Sequence, residues 1–241
     1  VVDNFPYQVL RDYYEKWYRP DNQGIVVVGD IDVNEVEGKI KEIFGTIATP
    51  VNPAERYYVQ IEDNDETIVS MATDKEFPYA QTFLFWKHDA YPVEMRGDMN
   101  YLVYKYATVM ASMMLNERLE EFSQLPEPPF MMAQFGSDED YFLAKTKKSY
   151  MGIVVCGEDQ LKNAVATIWR EILRAKRGGF TASEYERARA EYMSQVESAY
   201  NSREKKSSAS YCAEFETISR KCKRRSSVAV CRIFVKVGQN S

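Results

Sequence analysis

The periodicity of apolar positions along the 241 residues predicts a helix, a strand and a second helix within the first fifty. Val9, Leu10, Tyr13, Tyr14 and Trp17 recur at helical spacing on one face. Pro20 ends that helix, because proline lacks an amide donor and disfavours helix at the preceding residue. Ile25-Val26-Val27-Val28, bounded by Gly24 and Gly29, is a continuous β-branched run of the kind that fills a buried strand. Asp32 with Glu35 offers a capping box for a helix lined by Val33, Val36, Ile40, Ile43 and Phe44 and closed at Gly45. A lone strand leaves unpaired edges, so this unit requires neighbouring elements. They lie upstream of Val1 or elsewhere in the chain.

Residues 48–64, with Pro50 and Pro53, predict a connector. Two strands follow, Glu66–Thr73 and Ala80–His88, separated by Phe77-Pro78-Tyr79. A long helix begins near Pro92, its inner side formed by Met99, Leu102, Val103, Tyr106, Val109, Met110 and Met113, and continues through Leu115, Leu119 and Phe122 to the Pro126–Pro129 breaker. Strands over Phe130–Gly136 and Tyr141–Cys156 are joined by Ser137-Asp138-Glu139-Asp140 as the turn. Glu158–Lys176 is an amphipathic helix with Leu161, Val165, Ile168, Trp169, Ile172 and Leu173 inward, ended by Gly178-Gly179. Thr181 and Glu184 form a second capping box, opening a helix to about Phe215. The order predicts an α+β fold: an antiparallel or mixed sheet with helices packed on one face. No repeat of 20–50 residues is evident.

Composition bounds the function. The chain is globular, 45% hydrophobic and 28% charged, and has no apolar run near the ~18 residues of a membrane span. The net charge of −5 speaks against a nucleic-acid partner. Residues 217–241 hold seven Lys or Arg and no acid, which leaves about −12 for the first 216 residues. This basic tail reads as a linker, an appended segment or the product of an altered reading frame rather than as part of the fold. Cys156, Cys212, Cys222 and Cys231 form no tight framework, so a cytoplasmic and a periplasmic setting are both compatible.

His88 is the only histidine. A serine triad needs that imidazole beside a poised serine, and no G-x-S-x-G elbow is present. Catalytic zinc takes two or three imidazoles plus a carboxylate, and both H-E-x-x-H and H-x-x-E-H are absent. Asp30, Asp32 and Asn34 imitate the opening of a calcium loop, but Glu35 stands where its glycine belongs and Lys41 where its last glutamate belongs. Helix capping accounts for them. Asp63–Glu66 reads as a solvated acidic connector, and Gly178-Gly179 follows a helix and so is a terminator rather than a phosphate cradle. Arg203, Lys205 and Lys206 read as a solvated helix end. Met110, Met113, Met114, Met131 and Met132 could form an adaptable peptide-binding wall, but ordinary core filling is the preferred reading. No residue is assigned a catalytic or metal-ligating role.

One segment is specific. LRDYYEKWYRPDNQGIVVVGDIDVNEVEGKIKEIFGTIATP, residues 10–50, resembles the downstream part of the zinc domain in insulinase/pitrilysin-like peptidases: an aromatic helix ending W-Y-R-P-D-N, a hydrophobic strand, V-G-D, and a helix ending F-G. MMLNERLEEF, with Arg118-Leu119, is similar to a helix end of the same family. The resemblance implies that residues 1–50 close a first, zinc-type domain, that 51–65 are a linker, that 66–216 are a second α+β domain, and that 217–241 lie outside the pattern. It also implies that the zinc motif and its third ligand lie upstream of W-Y-R-P-D-N. No metal ligand therefore transfers onto this chain, and zinc is expected only in a full-length parent. The implied partners are the upstream zinc domain, the other half-molecule and a peptide substrate, with neither nucleic acid nor membrane. The chain would then be a non-catalytic wall of a peptidase chamber. The alternative is a peptide-binding or scaffolding domain from a catalytically silent family member.

Overall fold

The computed structural model describes residues 4–142, 144 and 146–221. It divides into two units, residues 1–57 with 202–241, and residues 58–201. The basic tail beyond Lys221 lies outside the described residues.

In the first unit, α1 spans Tyr7–Trp17 and α2 Val33–Phe44, as their periodicity predicts. Asp32 is the N-cap of α2, its carboxylate accepting the amides of Asn34 (2.9 Å) and Glu35 (3.0 Å). The reciprocal half of the expected box is replaced: Glu35 pairs with Lys39 one turn on. W-Y-R-P-D-N forms a hydrogen-bonded turn at the end of α1. Pro20 opens a 3-10 turn, Pro20–Asn22, where its missing N–H costs nothing. Asn22 Nδ2 donates to the Trp17 carbonyl at the end of α1 (3.3 Å). Arg19, buried, donates from Nη2 to the Ala54 carbonyl (2.7 Å) and meets Asp21 at 3.1 Å, tying the connector to the turn. The strand expected at Ile25–Val28 is not formed among the described residues. A ladder needs a neighbouring strand, and the described residues of this unit contain none. Neither α1 nor α2 buries a single residue. The helix α6, Ser208–Lys221, falls in the same unit, N-capped by the Ser207 hydroxyl on the Ser210 amide (3.2 Å).

The second unit holds a three-stranded antiparallel sheet, order β1-β3-β2, built from β1 Ala80–Asp89, β2 Met132–Asp140 and β3 Lys147–Cys156. The helices are α3 Met99–Ser123, α4 Leu161–Gly178 and α5 Ala182–Asn201. This is the α+β class expected, with the sheet wholly antiparallel. Because side chains alternate along strands, Ala80, Leu84, Tyr150, Val154, Cys156 and Phe135 share one face. That face packs on Leu115 and Leu119 of α3 and on Ala164 and Ile168 of α4, closing one core with Phe130. Gly152 lies opposite Phe135, and a Cβ there would sit 2.3 Å from the ring, so the phenyl occupies the space of an absent side chain. A smaller cluster, Met110, Met114 and Ala188, joins α3 to α5.

Several expectations are corrected. Glu66–Thr73 is not a strand. Residues 137–140 belong to β2 rather than to a turn: the ladder shifts register between Gly136 and Glu139, as glycine permits at a bulge, and the reversal falls at 141–146, with Phe142 at φ +50°. In the first two turns of α3, Met99, Leu102 and Val103 are exposed, while Tyr101 and Tyr104 pack on Tyr91. On α4 the buried stripe runs through Ala164, Thr167, Ile168 and Glu171, and Trp169, about 100° round the helix from Ile168, is 47% exposed. The helix expected to reach Phe215 stops at Asn201, where Asn201, Ser202 and Ser207 favour caps over helix interior.

Candidate functional site

The residues of MMLNERLEEF converge from α3 on the rest of the second unit. Leu119 is fully buried in the core. Asn116 accepts the Phe135 N–H (2.8 Å) and donates to the Phe135 carbonyl (2.9 Å), so one side-chain amide stands in for a strand neighbour at the β2 edge. Arg118, 5% exposed, grips both carboxylate oxygens of Glu184: Nε to Oε1 and Nη2 to Oε2 at 3.0 Å. Nη2 also donates to the Gly179 carbonyl (3.0 Å), and the guanidinium lies 4.5 Å from the Phe180 ring centre.

Glu184 is at the same time the capping-box residue of α5. Its Oε2 accepts the Thr181 N–H (2.6 Å) and hydroxyl (2.8 Å), while Thr181 Oγ1 accepts the Glu184 N–H (3.3 Å). Arg118 above all, and the Thr181 donors, hold the Glu184 carboxyl at a pKa of about 2 against the opposing effect of burial. The same pair raises Arg118. Gly179, at φ +66°, terminates α4 with its N–H on the Ala175 carbonyl (2.9 Å) and places its own carbonyl before Arg118. Neither partner changes protonation in the physiological range. The arrangement is a staple joining α3, the α4–α5 turn and the start of α5.

A second charged centre lies at one end of the sheet. Lys147, 7% exposed, donates to Asp89 (2.7 Å) and Asp63 (2.9 Å). These hydrogen bonds, that to Asp89 first, raise the lysine, and its ammonium lowers Asp63. Lys87 Nζ reaches the Glu62 carbonyl (2.7 Å), and Thr146 Oγ1 reaches that of Val59 (3.2 Å). Asp63 is therefore an anchor, where the acidic run reads from sequence as merely solvated.

His88, on β1, meets the Asp89 carbonyl through Nδ1 (2.9 Å). Among the described residues, no group of three His, Cys, Asp or Glu gathers as a metal set. With one imidazole in the whole sequence, the donor set does not fit a catalytic zinc. Asp32 is occupied in capping, and Lys206 pairs with Glu214. Met110 and Met114 are core residues, whereas Met131, just before β2, and Met132, its first residue, are 58% and 42% exposed. Burial chiefly raises the Cys156 thiol, which opposes reactivity. An apolar cavity of about 280 Å³ is lined by Trp86, Ala111, Leu115, Tyr150, Ile172 and Phe180. No helix among the described residues is long and apolar enough to cross a membrane.

Sequence reasoning named Arg118-Leu119 by resemblance and the Thr181–Glu184 box by spacing, but did not join them. The available signal was Asn116, a poor helix former in mid-helix, two residues before the arginine.

Comparison with known proteins agrees with the resemblance of residues 10–50. Residues 4–192 match the family model described as the Peptidase M16 inactive domain. The "probable zinc protease PqqL" of Escherichia coli (strain K12) is 25% identical over 176 residues, 73% of this chain and 18% of that protein. The chain thus spans about a fifth of that relative's length. The crystal structure of the first half of the periplasmic protease PqqL from Escherichia coli shares the fold with a TM-score of 0.68 at 19% identity, over 90% of this chain and 45% of that one. A "predicted insulinase family protease" from Yersinia pestis does so with a TM-score of 0.69 at 15% identity, over 89% and 44%. By the match over residues 4–192, this chain belongs to the M16 (insulinase-type) peptidase family and carries its inactive domain.

Proposed function

We propose that this chain forms the non-catalytic wall of the peptide chamber of a zinc metallopeptidase, with the zinc held by a domain upstream of residue 1 in a longer parent. In this reading residues 1–50 are the closing elements of that zinc domain, 51–65 a linker, and 66–216 a second domain that faces the other half-molecule and the substrate peptide. The observation that carries it is the bareness of α1 and α2. Val9, Leu10, Tyr13 and Tyr14 are 56–60% exposed on one helix, and Ile43 and Phe44 are 62% and 43% exposed on the other. Amphipathic faces of this kind belong against a sheet. The zinc-protease names of the relatives and the inactive-domain match supply the chemistry of the whole. Zinc in the parent would activate water beside a general base upstream, while this chain shapes the cavity and binds no ion.

The test compares the purified 241-residue chain with the product of the longer gene that encodes it. The chain alone should retain no stoichiometric zinc and should leave an unstructured peptide intact, whereas the longer product should cleave it in a chelator-sensitive manner. Chelator-sensitive cleavage by the chain alone overturns the proposal. A longer product that binds peptide but neither zinc nor cleaves identifies the catalytically silent alternative.

A further inference from the structure

We propose that the apolar cavity between the sheet, α3 and α4 is a binding site for a small uncharged aromatic molecule of about two or three rings. Every residue that lines it belongs to the second unit, so the site is whole within residues 58–201. Its origin is a local choice of small side chains. Ala111 on α3 and Ala175 on α4 stand one turn from Leu115 and Ile172, on the stripes those helices turn toward the sheet. Where the same stripes carry Leu119 and Ile168, the core closes and both residues are fully buried. At the two alanines the space stays unfilled, and about 280 Å³ is left.

The walls are held apart and do not collapse into that space. Trp86 on β1 packs on Phe135 of β2 and Tyr150 of β3, with ring centres 6.1 and 6.2 Å away. Phe135 stacks on Tyr150 at 5.9 Å, so three strands together fix an aromatic floor. Phe180, in the α4–α5 turn, is restrained by the Arg118 guanidinium, 4.5 Å from its ring centre. Arg118 is itself locked on Glu184 and on the Gly179 carbonyl. The cavity is therefore preformed.

Wall chemistry selects the ligand. The lining side chains carry no charge, and their only polar groups are the Trp86 indole N–H and the Tyr150 hydroxyl. Buried water needs about two to four polar partners, so it is a poor occupant here. An ammonium or a carboxylate would lose its hydration without meeting an opposite charge. The rings of Trp86, Tyr150 and Phe180 instead offer faces and edges to another aromatic system. The volume is about twice the roughly 150 Å³ that holds benzene in an apolar cavity, which sets the ligand's size. Entry is beside Trp86, which is 36% exposed, whereas Leu115 is buried.

Phenylnaphthylamine, an uncharged three-ring fluorophore, is the test ligand, titrated into the full 241-residue chain with isotope-labelled alanine methyls. The Ala111 and Ala175 methyl signals should shift together and saturate, with a Kd of about 10 µM or tighter. Ala111→Leu and Ala175→Leu, each filling the space from one helix, should each weaken binding by about tenfold or more. Leu10→Ala, on the bare face of α1, should change it by less than about twofold. The methyl readout needs only the unmodified chain, so it decides even where a leucine variant fails to fold. Saturable shifts confined to alanines outside the cavity, or no saturable shift at all, overturn the proposal. So does undiminished binding by both leucine variants. An unstructured peptide bearing phenylalanine, run alongside, separates the occupants. Shifts of the two methyls with the peptide and none with phenylnaphthylamine would assign the cavity to a peptide side chain and overturn the small-molecule site.

Discussion

Helices α1 and α4 carry the same kind of signal and meet opposite fates. Both show apolar residues at helical spacing and basic residues near their C-terminal ends. In α4, Ala164 and Ile168 are fully buried against β3 and α3. In α1 no residue is buried. Periodicity states which face a helix offers, and burial depends on whether a sheet arrives to cover it. The second unit supplies its own partners, whereas the first leaves its apolar helix faces uncovered among the described residues.

Mutations should separate the two units by size of effect. The largest loss is expected for Glu184→Ala, which leaves the buried Arg118 guanidinium without its carboxylate and removes the cap of α5. Breaking such a pair costs about 3–5 kcal/mol, measurable by urea unfolding. The same pair sets an acid dependence. The Glu184 carboxyl is held at about 2 rather than 4.5, so its contribution, on the order of 3 kcal/mol, is fully present above about pH 4.5 and fades as pH falls through about 2. Unfolding midpoints measured from pH 5 to pH 2 should show this slope in the parent chain and a flatter one in the variant. Leu119→Ala, at a fully buried position, should cost about 2–5 kcal/mol by the same unfolding assay. Asp32→Ala loses two amide hydrogen bonds at the start of α2 and should cost about 1 kcal/mol, read as lost helical circular dichroism or an earlier transition of the first unit. Leu10→Ala, 57% exposed on α1, should change stability by no more than about 0.5 kcal/mol. A loss at Leu10 as large as at Leu119 would erase the contrast between the units.

Local chemistry was the legible part of this fold. The capping residue Asp32, the Thr181–Glu184 box, the Gly178-Gly179 stop and the stripe through Ile168 were all readable, because each depends on residues within one or two turns. What stayed hidden depends on partners distant in sequence. Arg118 reaches Glu184 across 66 positions, and Lys147 reaches Asp63 across 84, so neither pairing leaves a periodic trace. The acidic stretch 137–140 has the composition of a turn, and only the ladder with β3 keeps it in strand. Ile25–Val28 and Glu66–Thr73 have strand composition without a ladder, because composition does not specify a neighbour. The Trp17–Asn22 motif identified the family, but its physical task, tying Ala54 and Trp17 through Arg19 and Asn22, needed coordinates.

The account rests on the first unit's helices lacking their cover in this chain, and amide exchange across Tyr7–Trp17 reads that directly. In the 241-residue chain those amides should exchange within about tenfold of an unstructured peptide, and in the longer gene product they should slow by about a hundredfold or more. Protection of α1 in the 241-residue chain equal to that of α3 would contradict it.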